Sequence, residues 1–322
     1  GTPTNDYYGG HRPGANLFAE SIVAVNAETG KKVWHFQAVH HGLWDYDFPT
    51  APNLLDVTVD GRQVKALAHV SKQGFIYTFD RRTGDPVWPI EERPVPTDTN
   101  LPGEQPWPTQ PFPTQPAPFD YQGVVEDDLV DFTPEIRAMA VKAVEGYRLG
   151  PLYTPQMRND GKVKGLLFRP TGSGGANWSG AGVDPETGIL YVPSRNQSGV
   201  LSFYEPDDGN LRFTHGAPET KRLKQQAGSS GPRMPRGLPL LKPPYSRLTA
   251  IDMNTGEHVW MTPLGNGDRI RRHRMLRHLN LPPLGGDNGR GGPLVTKTLV
   301  IMALSAGCLL YTSDAADDSK RV

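Results

Sequence analysis

Ala24-Val-Asn26-Ala-Glu-Thr-Gly30-Lys-Lys-Val-Trp34 places a small residue two positions before an Asn and a tryptophan four positions after a Thr-Gly pair. The frame returns as Thr78-Phe-Asp80-Arg-Arg-Thr-Gly84-Asp-Pro-Val-Trp88, as Gly182-Val-Asp184-Pro-Glu-Thr-Gly188-Ile-Leu-Tyr-Val192 and as Ala250-Ile-Asp252-Met-Asn-Thr-Gly256-Glu-His-Val-Trp260. Asp or Asn caps a turn through its side-chain oxygen, and glycine supplies the positive φ that the turn needs. The returning strand then carries a large apolar side chain into a core. Each copy predicts a β-hairpin. A hairpin recurring at intervals of several dozen residues marks a radial repeat such as a β-propeller, and the uneven intervals predict loops or insertions between blades.

Composition agrees with an all-β chain. Among 322 residues, 36 are Gly and 32 Pro, 21% are charged, and the mean hydropathy is −0.50, a mix that suits turns and short strands better than helices. Lys+Arg and Asp+Glu both total 34. Zero formal charge argues against nucleic acid or an anionic membrane surface as the main partner. The single cysteine, Cys308, excludes an internal disulfide. No apolar run is long enough to cross a bilayer and no signal peptide is recognisable. The chain starts at Gly1 without Met, so it is expected to be part of a longer protein.

Between the hairpins lie segments of other character. Residues 86–131 are expected to be a surface insertion, because Pro102-Gly-Glu-Gln-Pro-Trp-Pro-Thr-Gln-Pro-Phe-Pro-Thr-Gln-Pro-Ala-Pro118 suits an extended, polyproline-like path and no helix or central strand. One short helix follows, with Thr133 as N-cap, Pro134 at the first helical position, Glu135 at the positive end and Gly146 as the stop. Ile136, Met139, Ala140, Ala143, Val144 and Tyr147 keep the helical period and predict packing. Thr171-Gly-Ser-Gly-Gly-Ala-Asn177-Trp178 is a Gly-rich turn without the Lys-Ser/Thr ending of a phosphate loop; its glycines let backbone approach something flat. The basic run Arg269 to His278 is expected to be a solvated face. Pro293 to Ala303 predicts the opening strands of another blade. The pattern is lost after Gly307, so 307–322 is expected to be a tail foreign to a propeller part spanning 1–306.

The chemistry concentrates in His40-His41-Gly42-Leu43-Trp44-Asp45-Tyr46-Asp47-Phe48-Pro49. An extended strand there would point His41, Leu43, Asp45 and Asp47 one way and Trp44, Tyr46 and Phe48 the other, with Pro49 ending it. A carboxylate set among aromatics is partly desolvated, and its raised pKa makes it a better base. A buried aromatic strand carrying two solvated acids fits the spacing equally well.

Five segments taken in order carry a resemblance. Ser21-Ile-Val-Ala-Val-Asn-Ala-Glu-Thr-Gly-Lys-Lys-Val-Trp34 is followed by His40-His41-Gly-Leu-Trp44-Asp45-Tyr-Asp47 and by Ser71-Lys72-Gln-Gly-Phe-Ile-Tyr-Thr-Phe-Asp80-Arg81-Arg82-Thr-Gly84. Gly174-Gly-Ala-Asn177-Trp178 and Lys242-Pro-Pro-Tyr245 complete the series. Together they resemble the PQQ-dependent (quinoprotein) dehydrogenases, in particular the membrane-bound glucose, quinate and shikimate branch. The resemblance implies an all-β fold: the C-terminal part of an eight-bladed β-propeller with tryptophan-docking hairpins, plus one short helix. Pyrroloquinoline quinone (PQQ) would sit at one end of the propeller axis, with a membrane anchor and further cofactor contacts upstream of Gly1.

The implied activity is oxidation of a sugar or polyol hydroxyl, of the glucose-to-gluconolactone type, with electrons passed to ubiquinone at the periplasmic face of a bacterial inner membrane. By position, Asp45 matches the family's catalytic base, Lys72 the cation approaching the quinone oxygen, and Asn177 and Trp178 a cofactor-contacting pair. Thr4 falls near a position contacting the metal, Ca²⁺ or Mg²⁺. The chain departs from the family at Thr2, where Asn is usual, and at Gly42, where Asp is frequent. Asp47 is the alternative base, because it shares the predicted face with Asp45. A non-catalytic propeller scaffold, like the lipoprotein that assembles outer-membrane proteins, would need the hairpins but would give no reason for Asp45, Lys72 and Asn177 to converge on one pocket.

Overall fold

A computed structural model describes residues 1–203, 231–286, 291–304 and 307–312. Strands dominate. The first hairpin joins β1 (Ser21–Val25) to β2 (Lys32–Gln37). A second sheet orders β3 (Asn53–Val59), β4 (Arg62–Val70) and β5 (Ile76–Asp80) side by side. After β6 (Ile90–Pro94) and β7 (Thr109–Pro113), which pair with each other, comes the helix α1 (Pro134–Val144). Strands β8 (Met157–Arg158), β9 (Leu166–Phe168) and β12 (Gly199–Phe203) form a small sheet in the order β8-β12-β9. A four-stranded sheet runs β10 (Gly182–Asp184), β11 (Ile189–Arg195), β13 (Ser246–Asp252) and β14 (Glu257–Pro263). The short helix α2 (Asp268–Arg271) precedes a last sheet of β15 (Leu294–Val295), β16 (Leu299–Leu304) and β17 (Gly307–Thr312). These separate sheets, none closed into a ring among the described residues, make a partial propeller. No helix among them is long and apolar enough to cross a membrane.

The four repeats fold as one turn. The N–H of Gly30, Gly84, Gly188 and Gly256 donates to the carbonyl of Asn26, Asp80, Asp184 and Asp252 at 2.8, 2.8, 2.9 and 2.7 Å. Each glycine has positive φ, at 67°, 82°, 76° and 74°. The Asn or Asp side chain accepts from the N–H two residues on: Glu28 at 3.0, Arg82 at 2.9, Glu186 at 3.0 and Asn254 at 2.8 Å. The third and fourth copies share the four-stranded sheet, because β11 pairs directly with β13 from Ile189↔Asp252 to Arg195↔Ser246. Strand β12, between them in sequence, lies in another sheet, and the four copies mark three sheets.

Tryptophan from one sheet rests on the turn of the next. Trp34, within β2, donates its Nε1–H to the Arg81 carbonyl at 3.2 Å, and a Cβ at Gly84 would lie 2.7 Å from the Trp34 ring. Trp88 covers Gly256 in the same way, at 3.1 Å. Gly84→Ala combines left-handed strain with displacement of a buried indole. It is expected to cost ~2–4 kcal/mol, read as a lowered midpoint in chemical denaturation.

Two sequence expectations change in the fold. Residues 38–52 form no strand. His41 and Asp45 take φ of 49° and 58°, and the chain bends so that Leu43, Trp44 and Tyr46 are all buried; strict alternation would have exposed one of these faces. Lys72 sits on the β4–β5 turn. The Pro-rich insertion is extended, as its composition predicts, but part of it is a paired hairpin, and Leu101, Glu104, Gln110, Phe119 and Asp120 in this segment are buried.

Helix α1 begins as expected, with the Thr133 side chain accepting from the Ile136 N–H, and it buries Ile136, Ala140 and Val144. The basic run overlaps α2, and Ile270 and Leu276 within it are buried. Strand β17 pairs with β16 from Leu299↔Thr312 to Leu304↔Gly307, within the stretch expected to be a foreign tail; residues 313–322 lie outside the described residues.

Candidate active site

The loop of residues 38–52 is tied down at several points. The Gln110 side chain accepts from the His40 N–H at 2.8 Å and donates to the His40 carbonyl at 2.7 Å. Trp44 donates Nε1–H to the Thr154 carbonyl at 2.8 Å, and Tyr46 donates its hydroxyl to the Pro170 carbonyl at 2.6 Å. The Gln156 side-chain amide donates to the Leu43 carbonyl. His41 and Glu104, both fully buried, bond at 2.7 Å. Burial raises the Glu104 pKa, but its bonds from His41 and the Gly9 N–H outweigh this and hold the carboxyl below its usual range. The aromatic anchors on either side of Asp45 thus fix it in position.

On the facing side, the turn after β4 closes through the Ser71 N–H and hydroxyl, both donating to the Phe75 carbonyl, with Gly74 at φ 89°. This turn projects Lys72, whose Nζ lies 3.0 Å from Asp45 Oδ1 and 2.6 Å from Asp47 Oδ1. The ammonium is nearly buried, with a side-chain exposure of 7%, whereas the two carboxylates are about a quarter exposed, at 26% and 24%. Burial raises the Asp45 pKa, and the charge and hydrogen bond of Lys72 oppose it. Tyr7 is pushed up to about 12 by burial and by the nearby Asp45 charge.

Asp45, Lys72 and Asn177 line one cleft of about 410 Å³, with Tyr7, Thr171 and Ser173 beside them. The Gly-rich turn forms its wall. Gly175 N–H donates to the Lys72 carbonyl at 2.9 Å. A Cβ at Gly172 would come 2.6 Å from the Tyr7 hydroxyl and 2.9 Å from Asp45 Oδ2, and one at Gly174 would come 2.7 Å from Lys72 Cγ. The glycines therefore let the turn close on the acid and the ammonium. Asn177 steadies the turn itself, its Nδ2 donating to the Ser173 carbonyl and its Oδ1 accepting from the Trp178 N–H, both at 2.7 Å. The Trp178 residue is 58% exposed and is not part of the lining.

Thr4 is exposed, its carbonyl accepting from His11 Nε2, and it does not line the cleft. Among the described residues no group of three or more His, Cys, Asp or Glu side chains is arranged to hold a metal ion. Instead Thr2 reaches the site: its hydroxyl lies 3.4 Å from Asp45 Oδ1 and 3.2 Å from Glu20 Oε1. Sequence reasoning missed Glu20, Tyr7, Glu104 and Gln110. Glu20 stands between Ala19 and Ser21 with no motif around it, and Glu104 and Gln110 lie in a stretch whose composition reads as surface loop.

A buried ammonium held between two carboxylates, opening on a cleft rimmed by hydroxyls and an amide, suits a flat, oxygen-rich partner whose negative charge changes. Asp45 is partly buried, and the charge of Lys72 opposes the effect of that burial.

The profile of the family described as PQQ: Glucose/ethanol/alcohol dehydrogenase, beta-propeller domain, matches residues 1–318. The chain is 29% identical over 311 residues to the quinate/shikimate dehydrogenase (quinone) of Acinetobacter baylyi, covering 92% of this chain and 38% of that protein. It is 32% identical over 278 residues to the quinoprotein glucose dehydrogenase of Escherichia coli, covering 82% and 34%. The chain thus spans well under half the length of these curated relatives. Among solved structures, a quinohemoprotein alcohol dehydrogenase from Pseudomonas putida aligns with a TM-score of 0.50 at 22% identity, covering 93% of this chain and 34% of that one; this likeness bears on the fold alone.

Proposed function

The chain belongs to the PQQ-dependent glucose/ethanol/alcohol dehydrogenase β-propeller family, and from that premise we propose that the protein containing it oxidises a sugar or polyol hydroxyl with Asp45 as the base. The observation that carries this reading is the 3.0 Å pairing of Asp45 with a nearly buried Lys72 at the wall of one cleft. A scaffold gives no reason for this pair to share one cleft with Asn177. Lys72, Ser173 and Asn177 are the residues that would hold PQQ: a cation, a hydroxyl and an amide suit its carboxylates and quinone oxygens. When bound, PQQ supplies the two-electron acceptor that the side chains lack.

The chain's own residues manage the proton and the charge. A hydroxyl carbon donates hydride poorly until its proton is being removed. Asp45 takes that proton, and Lys72 keeps the carboxylate ionised beforehand despite its burial. Once Asp45 is neutral, the ammonium is shared only with Asp47 and is free to stabilise negative charge developing in the cleft. A fixed donor of this kind is worth about 3–4 kcal/mol in the transition state. Asp47, 2.6 Å from the same ammonium, is the alternative base. A divalent ion finds no assembled ligand set among the described residues, because Asp45 and Asp47 already share Lys72 and Thr4 faces outward, so no step is assigned to one. Ubiquinone as acceptor and a membrane-anchored position on the periplasmic face are further parts of the proposal. They are supported by the resemblance and by the quinone named for the quinate/shikimate relative.

The test is reconstitution of the full-length protein with PQQ and Ca²⁺, followed by dye-linked assays on glucose, quinate, shikimate and glycerol. Reduction of the dye with at least one of these is expected. Bound PQQ with no turnover on any hydroxyl donor would sink the reading.

A further inference from the structure

Glu20 is a fully buried carboxylate close to Asp45 that the mechanism above does not use. It lies just before β1 with φ 48° and is fully buried. Its N–H donates to the Gly1 carbonyl at 3.0 Å, and its carbonyl accepts from the Ala38 N–H at 2.9 Å. The carboxylate fills the space in which a side chain at residue 42 would start, lying against Gly42 where a Cβ would be. Oε1 is 3.2 Å from the Thr2 hydroxyl, and that hydroxyl is 3.4 Å from Asp45 Oδ1. Oε2 has no hydrogen-bond partner. A hydroxyl carries one proton and two acceptor lone pairs. Thr2 can therefore accept from one carboxyl while donating to the other, and it spans the two acids as a single link.

We propose that Glu20 receives, through the Thr2 hydroxyl, the proton that Asp45 takes from the substrate. The inference rests on Asp45 acting as the base. The O–H of protonated Asp45 breaks as its proton bonds to Thr2 Oγ1; the original Thr2 proton bonds to Glu20 Oε1. No electrons change hands, and Asp45 returns to carboxylate beside Lys72. The surroundings favour this direction. Glu20 is raised to about 8, chiefly by burial and further by the Asp47 charge, while the Thr2 bond and Arg12 pull the other way. No ammonium comparable to Lys72 contacts it. Arg12 lies nearby but is occupied, donating to the carbonyls of Gly42 at 2.6 Å and Asn5 at 2.9 Å. His41, next to Gly42, is held by Glu104 and by the Gly14 carbonyl. Glu20 must be ionised to accept, so the relay works above its pKa and stops below it.

The experiment compares the wild type, Glu20→Gln, Thr2→Val and Thr2→Ser as full-length, PQQ-loaded proteins. The wild-type kcat is expected to rise with pH through about 8. Glu20→Gln and Thr2→Val should both lose that rise, and kcat at about pH 9 should fall ~10-fold or more with KM nearly unchanged. Thr2→Ser should restore it. Infrared spectra of the PQQ-free protein supply a readout independent of turnover: a protonated-carboxyl band should titrate near pH 8, persist in Thr2→Val and vanish in Glu20→Gln. A wild-type pH profile in Glu20→Gln, or no such band, overturns the relay. Turnover retained in Asp45→Asn would instead strike the assignment of the base, leaving the infrared result to stand on its own.

Discussion

Asp45→Asn is expected to lower kcat at least ~10³-fold while leaving PQQ bound and the fold intact. The change is nearly isosteric. The loop that carries residue 45 is held by Trp44 on the Thr154 carbonyl and Tyr46 on the Pro170 carbonyl, neither of which involves the carboxylate. An amide oxygen can still accept from Lys72, and Lys72 keeps Asp47 at 2.6 Å. What disappears is the capacity to take a proton, because an amide has no basic lone pair at neutral pH. The split between lost kcat and retained PQQ affinity separates a base from a residue that merely shapes the cleft. Steady-state kinetics with a fluorescence titration of PQQ binding reads both. Retained turnover would move the role to Asp47, which meets the same ammonium from the next residue but one.

Lys72→Met should strike both stability and chemistry. It leaves Asp45 and Asp47 facing each other without their shared cation. Removing one partner of a buried ion pair costs about 3–5 kcal/mol, and the partial exposure of both carboxylates brings the expected loss down to ~2–3 kcal/mol. The methionine chain refills the volume, so cavity formation adds little. Losing the ammonium also removes the influence that opposes burial at Asp45. Its pKa then climbs further, and the acidic limb of the pH–rate profile moves to higher pH, since the base must be ionised to act. At a pH where the base remains ionised, kcat should still fall ~10²-fold, from the lost stabilisation of negative charge in the cleft. Denaturation curves and pH profiles measured on one preparation check both halves. An unchanged denaturation midpoint together with an unmoved acidic limb would mean that the pairing has no energetic weight.

The hairpins were legible in the chain because all their determinants are local. Asn26 or Asp80, the Thr-Gly pair and the closing tryptophan fall within eleven residues, and each contact that makes the turn is spanned by that window. Helix α1 was legible for the same reason, from Thr133 at one end to Gly146 at the other. The loop around Asp45 was not. Its alternating pattern suggested a strand, but Gln110, Glu104, Thr154 and Pro170, which are distant in sequence, supply the hydrogen bonds that bend it. Nothing in the ten residues themselves encodes those partners. The placement of a buried Glu104 in a Pro-rich stretch was hidden likewise, because composition predicts the path of the backbone and not what will be packed over it.

By itself, the order of residues determined a β-rich repeat, its turn chemistry and its family, and it marked Asp45 and Lys72 as candidates for the site. Only the tertiary structure decided that Asp45 and Asp47 meet one lysine, that Thr2 rather than Thr4 reaches the acid, and that Glu20 stands behind Thr2. Turns are governed by torsion angles and hydrogen bonds between near neighbours, which a short window contains. A site of this kind is governed by electrostatics and burial among groups separated by tens of residues, and these acquire values only when the chain has brought those groups together.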